Sequence, residues 1–343
     1  MKKKTLKVAL EGLGEYLRIS EGCLVVMDEE RRVRGKYPLS EEIEEVRLKS
    51  GNLVSVGALA ALAMWKIPTL ILTRHGNPVA TLKRLDDDAH VETRCQYDAF
   101  ENGKGVEIAK QVLLAKIKGE NELLRKYGLH QIDYGYFSQA VKEVEGKDVK
   151  AGRNKLMSYE GKCASQYWKQ VLQLFNESIR PEKRRTYKAY EGLNNVLNLA
   201  YIILFWKVLV ALWRAKLEPH LGFLHATKSG KSSLVFDFME IYRYLVDDFV
   251  IGYARTVHLS EADFVLVTEN YAGRKEKRQY LDYNDASEFN NRLNMYFESK
   301  VSIPRITGGK RQEIETLIIE EAMLLAMYLR DEKKTWIPRV VSL

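Results

Sequence analysis

One stretch of the chain, Glu218–Arg243, carries a histidine and two carboxylates at spacings that could bind a cation. His225 lies twelve residues before Asp237 and fifteen before Glu240. The two acids are three residues apart in a segment with a helical pattern, so their side chains project from the same helix face. An imidazole and two carboxylates that converge across a short loop are typical of a divalent-cation site.

From the residues alone, three interpretations of this stretch stay open. In the first, SGKSS, which contains Gly230 and Lys231, is a nucleotide-binding P-loop. Against it, the position five before Gly230 holds His225 instead of glycine, and a helical pattern precedes the loop where a P-loop follows a strand. In the second, His225 is an ordinary core histidine, and Asp237 and Glu240 are surface charges.

The third interpretation is a metal site. A carboxylate pair inside an apolar helix suffers desolvation and repulsion unless a cation compensates it. Oxygen ligands with one imidazole suit Mn²⁺ or Mg²⁺ better than zinc, and a further carboxylate from a distant segment is needed, for which Glu160 is the candidate. His220, five residues before His225, is interpreted as structural. The apolar residues around Asp237 and Glu240 in this helix are Leu234, Val235, Phe236, Phe238 and Met239.

The composition is that of a globular protein, with 46% hydrophobic and 29% charged residues among 343. A chain of this length forms one large or two ordinary domains. Three cysteines, Cys23, Cys95 and Cys163, lie far apart and form no CxxC pair, which argues against a disulfide framework or a zinc knuckle and fits a reducing cytoplasm. The basic start, MKKKTLKVALEG, turns polar before an apolar stretch of signal length, so no secretion signal is expected.

The longest apolar run, Val196–Trp213, is interrupted by Asn198 and Lys207. It predicts a buried central helix rather than a membrane span, so no association with a membrane is expected. The net charge of +8 and the pI near 9.1 permit binding to a polyanion without deciding it.

The patterns predict an α+β protein with a small β-rich N-terminal domain at 1–85, a linker at 86–105 and a larger all-α catalytic domain at 106–343. TLKVAL, EYLRIS, CLVVMD and RRVRGKYPL predict strands because their apolar or β-branched residues stand between turn residues. The helix expected in this domain is SVGALAALAMWK, with Ser55 as its N-cap.

Helical periods dominate the rest of the chain. In VEIAKQVLLAKIKGENELLRKYG the apolar residues recur at i, i+3 and i+4, and the Lys and Glu residues are assigned to the opposite face. Glu160 lies at the edge of the apolar stripe of the helix at Arg153–Asn176, where a solvated glutamate is also expected. Beyond Arg243 the chain is predicted to stay mostly helical, including ADFVLV. The apolar stripe of the helix at Arg153–Asn176 consists of Leu156, Tyr159, Cys163, Tyr167 and Val171.

Two basic segments could contact a DNA backbone. RPEKRRTYKAYEG interleaves basic residues with Tyr187 and Tyr190, which suits phosphate contact and base stacking, although a solvated loop fits equally well. The second segment is Gly273–Arg278. The candidate residues are Lys183, Arg184, Arg185, Lys188, Arg274, Lys275, Lys277 and Arg278.

Three motifs, in their order and spacing, resemble the CRISPR-associated integrase-nuclease family "Cas one" over nearly the whole chain. They are LMSYEGKCASQYW, then EGLNNVLNLAY running into the turn at Pro219–His225, and SLVFDFMEIYR with Asp-x-x-Glu and a closing arginine. The departures are Ser158 and Cys163, where the family often has Gly and Ala, and Glu191 and Glu218, where it often has Asp.

The resemblance implies that Glu160, His225 and Glu240 hold Mg²⁺ or Mn²⁺ and are catalytic, with Asp237 and Arg243 in support. It implies a DNA endonuclease and integrase of CRISPR adaptation that joins 3′-hydroxyl ends of captured DNA to the CRISPR repeat by transesterification. It also implies a homodimer through the β-rich domain and the small partner "Cas two". The alternatives are a non-catalytic DNA-binding scaffold of the same fold and a P-loop-like nucleotide hydrolase.

Overall fold

Strands dominate the first part of the chain and helices the second, in the α+β arrangement that the sequence predicts. The structure, a computed structural model, divides the chain into two units, Met1–Asp88 and Ala89–Leu343. It describes residues 6–10, 12–39, 43–73, 78–82, 90–144, 148–187, 189–271, 274–302 and 311–343.

The described residues of the first unit form two sheets and a helix. Its elements are β1 (Leu6–Leu10), β2 (Tyr16–Ser20), β3 (Cys23–Met27), β4 (Val33–Pro38), β5 (Ile43–Lys49), β6 (Leu53–Val54), α1 (Val56–Met64), β7 (Thr69–Leu72) and β8 (Pro78–Thr81). One sheet has the order β1-β5-β7-β8 and the other β4-β3-β2-β6. Leu17, Leu24, Val46 and Leu62 are fully buried in the core of this unit.

The prediction of α1 and its cap is confirmed. The Ser55 hydroxyl accepts the backbone N–H of Ala58 at 3.1 Å, which satisfies a helix donor that has no partner within the helix. The strands predicted at TLKVAL, EYLRIS, CLVVMD and RRVRGKYPL correspond to β1–β4.

The second unit is mostly helical. Its helices are α2 (His90–Ala99), α3 (Lys104–Lys126), α4 (Gly135–Val144), α5 (Val149–Val171), α6 (Gly192–Arg214), α7 (Ser233–Glu240), α8 (Arg243–Thr256), α9 (Tyr283–Phe297) and α10 (Ile314–Leu329). Its strands are β9 (Phe264–Tyr271), β10 (Arg274–Leu281), β11 (Lys300–Ser302) and β12 (Arg311–Glu313).

The expectation of an all-α second domain needs correction, because β9 and β10 form an antiparallel hairpin and β11 pairs with β12. ADFVLV, expected to be helical, is a short 3-10 turn followed by β9. β10 also donates the backbone N–H of Gln279 to the carbonyl of Tyr190 at 2.9 Å, so its strand form depends on distant partners.

Part of the expected linker is also helical, since α2 occupies residues 90–99. Two of its buried residues, Glu92 and Gln96, are polar, and only Ala99 is apolar. Gln96 donates to the carbonyl of Glu218 at 3.1 Å and accepts its N–H at 2.7 Å, while Glu92 pairs with Arg330 at 2.6 Å. Helix α2 is therefore held by partners more than a hundred residues away along the chain.

Helix α6 contains the long apolar run of the sequence. By length and composition it could cross a membrane, but 56% of its most apolar window is buried inside the protein. Its Lys207 reaches Glu315 of α10 at 3.0 Å. Helix α6 packs against α7, α8, α9 and α10, as the predicted central helix should.

Helix α3 supports the helices that carry the candidate site, because it packs against α5, α7 and α8. Gly119 permits the close approach to α8: a Cβ there would lie 2.3 Å from the Tyr244 ring. On α5, the residues of the predicted apolar stripe are all buried.

Candidate metal centre

Asp237 fixes the position of His225. Its Oδ2 accepts the backbone N–H groups of Phe223 at 2.6 Å and Leu224 at 2.8 Å. Its Oδ1 lies 2.7 Å from both the backbone nitrogen and the ring Nδ1 of His225. This fully buried carboxylate favours the tautomer in which Nδ1 carries the proton and donates it to Oδ1. In that tautomer the lone pair of Nε2 is left for another partner.

The loop that carries His225 is packed closely on the start of α7. A Cβ on Gly222 would lie 2.6 Å from Ser233, so a larger residue there would push the loop away. The Ser233 hydroxyl donates to the carbonyl of Ala226 at 2.8 Å, and the Leu234 N–H donates to the carbonyl of Pro219 at 2.9 Å. These contacts set the distance between His225 and the acids of α7.

SGKSS is a turn between this loop and α7. Gly230 has a φ of 72°, the left-handed conformation that glycine adopts readily. The segment before it is irregular instead of a strand, so the architecture of a P-loop is missing around Lys231. His220 is largely exposed and contacts Glu218 of its own loop, in keeping with a structural role.

Glu160 of α5 and Glu240 of α7 meet at one ammonium group, that of Lys116 on α3. Lys116 lies 2.7 Å from Oε2 of Glu240 and donates a hydrogen bond to Oε1 of Glu160. Oε1 of Glu120, one turn along α3, lies 3.9 Å from the same ammonium. The two expected ligands are thus brought together across a buried lysine.

The charges around Lys116 shift one another's ionisation. Burial raises the pKa of Glu240, but the Arg243 guanidinium and the Lys116 ammonium outweigh it and hold the pKa at about 2. Burial lowers the pKa of Lys116, and the carboxylates of Glu240 and Glu120 more than reverse this, so the pKa lies above its ordinary value. Burial raises the pKa of Glu120 to about 8, against the opposing effect of Lys116.

Arg243 connects the site to a buried network behind it. Its guanidinium lies 3.2 Å from Oε1 of Glu240 and 5.0 Å from the centre of the Tyr201 ring. Tyr201 and Tyr167 donate their hydroxyls to Asp247, the latter at 2.7 Å. Burial raises the pKa of Asp247 to about 6, although both hydrogen bonds act to lower it.

The donors fit a hard divalent ion. Among the described residues, no group of three or more His, Cys, Asp or Glu side chains stands close enough to hold a metal ion without movement. Oε2 of Glu240 is nevertheless buried and, apart from the ion pair with Lys116, has no hydrogen-bond partner in the described part of the chain. With Glu160 and the Nε2 of His225, it offers the oxygen-rich set that Mg²⁺ or Mn²⁺ prefers.

The structure joins the two basic segments. The Tyr190 hydroxyl donates to Glu276 at 3.2 Å, and the Arg278 guanidinium lies 5.9 Å from the Tyr190 ring centre. Lys275 and Lys277 are exposed and alternate along β10, so they share one face of the strand.

The basic residues of the first segment differ in exposure. Lys183 is exposed, whereas Arg185 is half-buried. Arg184 turns inward, donates to Asn198 at 2.7 Å and lies over the rings of Trp168 and Tyr201. Lys188 and the side chain of Arg274 lie outside the described residues.

Sequence reasoning missed Lys116 and Glu120. Both were assigned to the polar face of their helix, but their exposed fractions are only 4% and 5%. The signal was their position: Lys116 stands between Ala115 and Ile117 and four residues after Val112, within the apolar period. A charged pair at i, i+4 on an apolar face needs buried partners.

Fold and site define an α+β protein whose helical unit carries a carboxylate–histidine site. The chain belongs to the family described as CRISPR associated protein Cas1, whose sequence profile matches residues 8–281. The resemblance carried by the three motifs is thereby confirmed. A relative from Pyrobaculum aerophilum, named CRISPR-associated endonuclease Cas1 2, is 30% identical over 265 residues, 77% of this chain and 86% of that protein.

Solved structures share the fold over nearly the full length. A casposase bound to integration product has a TM-score of 0.69 at 22% identity and covers 97% of both chains. A chain of a partial Cas6-RT-Cas1–Cas2 complex has a TM-score of 0.68 at 18% identity, covering 98% of this chain and 99% of that one. At these identities the likeness shows the fold alone.

Proposed function

We propose that this protein is a divalent-metal-dependent DNA endonuclease and integrase of CRISPR adaptation, which joins 3′-hydroxyl ends of captured DNA to the CRISPR repeat by transesterification. Membership of the Cas1 family supports this, as does the endonuclease name of its relative. The observation that carries the proposal is the meeting of Glu160 and Glu240 from separate helices.

Glu160, His225 and Glu240 are the proposed ligands of Mg²⁺ or Mn²⁺. When bound, the ion supplies a positive charge that stabilises the developing charge on a phosphodiester and favours ionisation of the attacking hydroxyl. The ion is therefore proposed to serve both strand joining and cleavage, which differ only in whether a DNA 3′-hydroxyl or water attacks.

Asp237 and Arg243 are proposed to act in support of the ligands. Asp237 orients His225 through Nδ1 and the loop backbone, which directs Nε2 outward from this pair. Arg243 keeps Glu240 ionised, as its effect on the pKa of that group indicates. An ionised Glu240 is the form that coordinates a cation.

DNA is proposed to contact the surface where β10 meets the segment at 183–190. Lys183, Lys275 and Lys277 are exposed there, and the net charge of the chain is +8. Arg184 and Arg185 are partly buried, so we propose that they contact fewer DNA phosphates than these lysines do. Such contacts neutralise phosphates without reading sequence, as an enzyme acting on many DNA fragments requires.

We also propose that the protein acts in the cytoplasm, forms a homodimer through the first unit and associates with the small partner Cas2. Val56, Met64 and Trp65, on or beside α1, are exposed by 81%, 72% and 55%, an apolar surface that a second copy would cover. Met64→Glu is expected to convert the dimer to a monomer in light scattering, with Met295→Glu, at an exposed position of α9, as the control. An unchanged mass would place the dimer contact elsewhere.

The proposal is tested by Glu160→Gln in strand-transfer and cleavage assays with Mn²⁺. Losing one charged ligand is expected to reduce both rates by about 100-fold or more. Glu143→Gln is the matched control. Glu143 is a glutamate of α4 that pairs with Lys155 and Tyr159 of α5, the helix that also carries Glu160. Undiminished rates in Glu160→Gln would contradict the metal assignment. If the native protein binds DNA but neither cleaves nor joins it, the alternative of a non-catalytic scaffold is favoured.

A further inference from the structure

Lys116 is a buried cation at the centre of the site. Its side chain is 5% exposed, and its ammonium contacts Glu160 of α5 and Glu240 of α7. Lysine is rarely buried unless its charge is paired, and here the partners are the same two carboxylates that the proposed function assigns to a metal ion. The ammonium therefore occupies the position that the proposed function assigns to the metal ion.

Both cations cannot use these oxygens at full strength. A divalent ion that binds Glu160 and Glu240 adds two positive charges beside an ammonium that already offsets part of their negative charge. Repulsion between like charges in a poorly solvated position is large, so the ammonium has to move or the ion binds weakly.

Glu120 offers the ammonium another position. Its Oε1 lies 3.9 Å from Lys116, one helical turn along α3, and both side chains are buried. Its Oε2 is buried and has no hydrogen-bond partner among the described residues. A small rotation of the lysine side chain toward Glu120 would bring the ammonium within hydrogen-bond distance of that carboxyl group as it leaves the other two carboxylates, and the closer ammonium favours the ionised form of Glu120.

We propose that Lys116 is a built-in competitor of the divalent ion: it holds Glu160 and Glu240 together in the metal-free protein and moves to Glu120 when the ion binds. The inference rests on the proposed metal-binding role of Glu160 and Glu240. The lysine lowers the affinity for metal, and in exchange it stabilises the assembled site before metal arrives.

The test uses Lys116→Met, which keeps an unbranched side chain one atom shorter than lysine and removes the charge. Lys110→Met is the matched control, because Lys110 lies on the same helix and pairs with Glu107 at 3.6 Å. Isothermal titration of the full-length variants with Mn²⁺ is expected to show about tenfold tighter binding or more for Lys116→Met, and no change for the control. Thermal unfolding in EDTA is expected several degrees lower for Lys116→Met, with most of the loss recovered in Mn²⁺.

Glu120→Gln provides a second variant with the opposite sign. It removes the carboxylate to which the ammonium moves, so Mn²⁺ should bind about tenfold more weakly. This variant decides the question if Lys116→Met does not fold. Unchanged or weaker Mn²⁺ binding by folded Lys116→Met, or unchanged binding by Glu120→Gln, overturns the inference.

Glu160→Gln separates this inference from the proposed function. If the native protein binds Mn²⁺ and Glu160→Gln does not, the metal site stands, and the Lys116 and Glu120 variants alone decide the competition. If the native protein binds no Mn²⁺, both the proposed function and the inference fall.

Discussion

Oδ1 of Asp237 lies 2.7 Å from Nδ1 of His225, and the same carboxylate accepts the backbone N–H groups of residues 223–225. One side chain thereby sets the tautomer of the histidine and the shape of its loop. In the third motif of the sequence, with its Asp-x-x-Glu spacing, the two acids have different partners: Asp237 holds His225 and its loop, and Glu240 pairs with Lys116 and Arg243.

Asp237→Asn should weaken the metal site without removing a ligand. Replacing a carboxylate that orients a metal-binding histidine costs about 10- to 100-fold in affinity or activity. We expect Mn²⁺ binding by calorimetry and strand transfer to fall together by that factor. His220→Ala, which changes the exposed histidine of the same loop, should match the native protein. Native Mn²⁺ affinity in folded Asp237→Asn would show that the carboxylate has only a structural role.

Asp247 should make stability depend on pH. Its pKa rises from 3.8 in the unfolded chain to about 6 in the folded protein. Between these two pH values the carboxyl group is protonated in the folded state and ionised in the unfolded state. The stabilisation is complete below the unfolded pKa and is lost as the pH rises through about 6, a difference of about 3 kcal/mol.

The measurement is the free energy of unfolding in urea from pH 4 to pH 7 for the native protein and Asp247→Asn. The variant should lack the decline that Asp247 produces, because its amide does not ionise. In Asp248→Asn, which changes the neighbouring acid that pairs with Lys126, the decline should remain. Parallel curves for the native protein and Asp247→Asn would contradict the assignment.

The C-terminal segment should stabilise α7. Trp336 is 4% exposed, and its ring stacks on Phe238, next to Asp237, with centroids 6.1 Å apart. Trp336→Ala is expected to lower the free energy of unfolding by about 3–5 kcal/mol. Ile337→Ala, at a neighbouring position that is 41% exposed, should cost much less. Equal losses would mean that the tryptophan is not anchored on α7.

Lys275 and Lys277 should contribute to DNA affinity through phosphate contact. Their double substitution by alanine should weaken binding similarly for unrelated DNA sequences and reduce the slope of log affinity against log salt by about two. Lys36→Ala, in the first unit, provides an exposed lysine as the control. An unchanged salt slope in the double variant would exclude this face of β10 from the DNA-binding surface.

Local patterns predicted the elements whose partners are near in sequence. Ser55 caps α1 three residues away, and the stripe on α5 repeats within one helix, so a single segment contains the information. The ligand candidates His225 and Glu240 were also visible, because loop and helix adjoin in sequence.

Patterns failed where distant partners decide the structure. Gln96 is buried against the backbone of Glu218, which turns an apparent linker into a helix. Lys116 is buried because carboxylates 44 and 124 residues further along the chain surround it, and no local period reports them. β10 is rich in charges and becomes a strand only through its pairing with β9.

The central claim is that Glu160, His225 and Glu240 share one divalent ion. Its most direct test is a crystal structure of the full-length protein with Mn²⁺, with anomalous diffraction measured at the manganese edge. We predict one anomalous peak within coordination distance of both carboxylates and of Nε2 of His225, with the Lys116 ammonium displaced toward Glu120. A peak elsewhere, or none at saturating Mn²⁺ with Lys116 still between the two glutamates, would contradict the account.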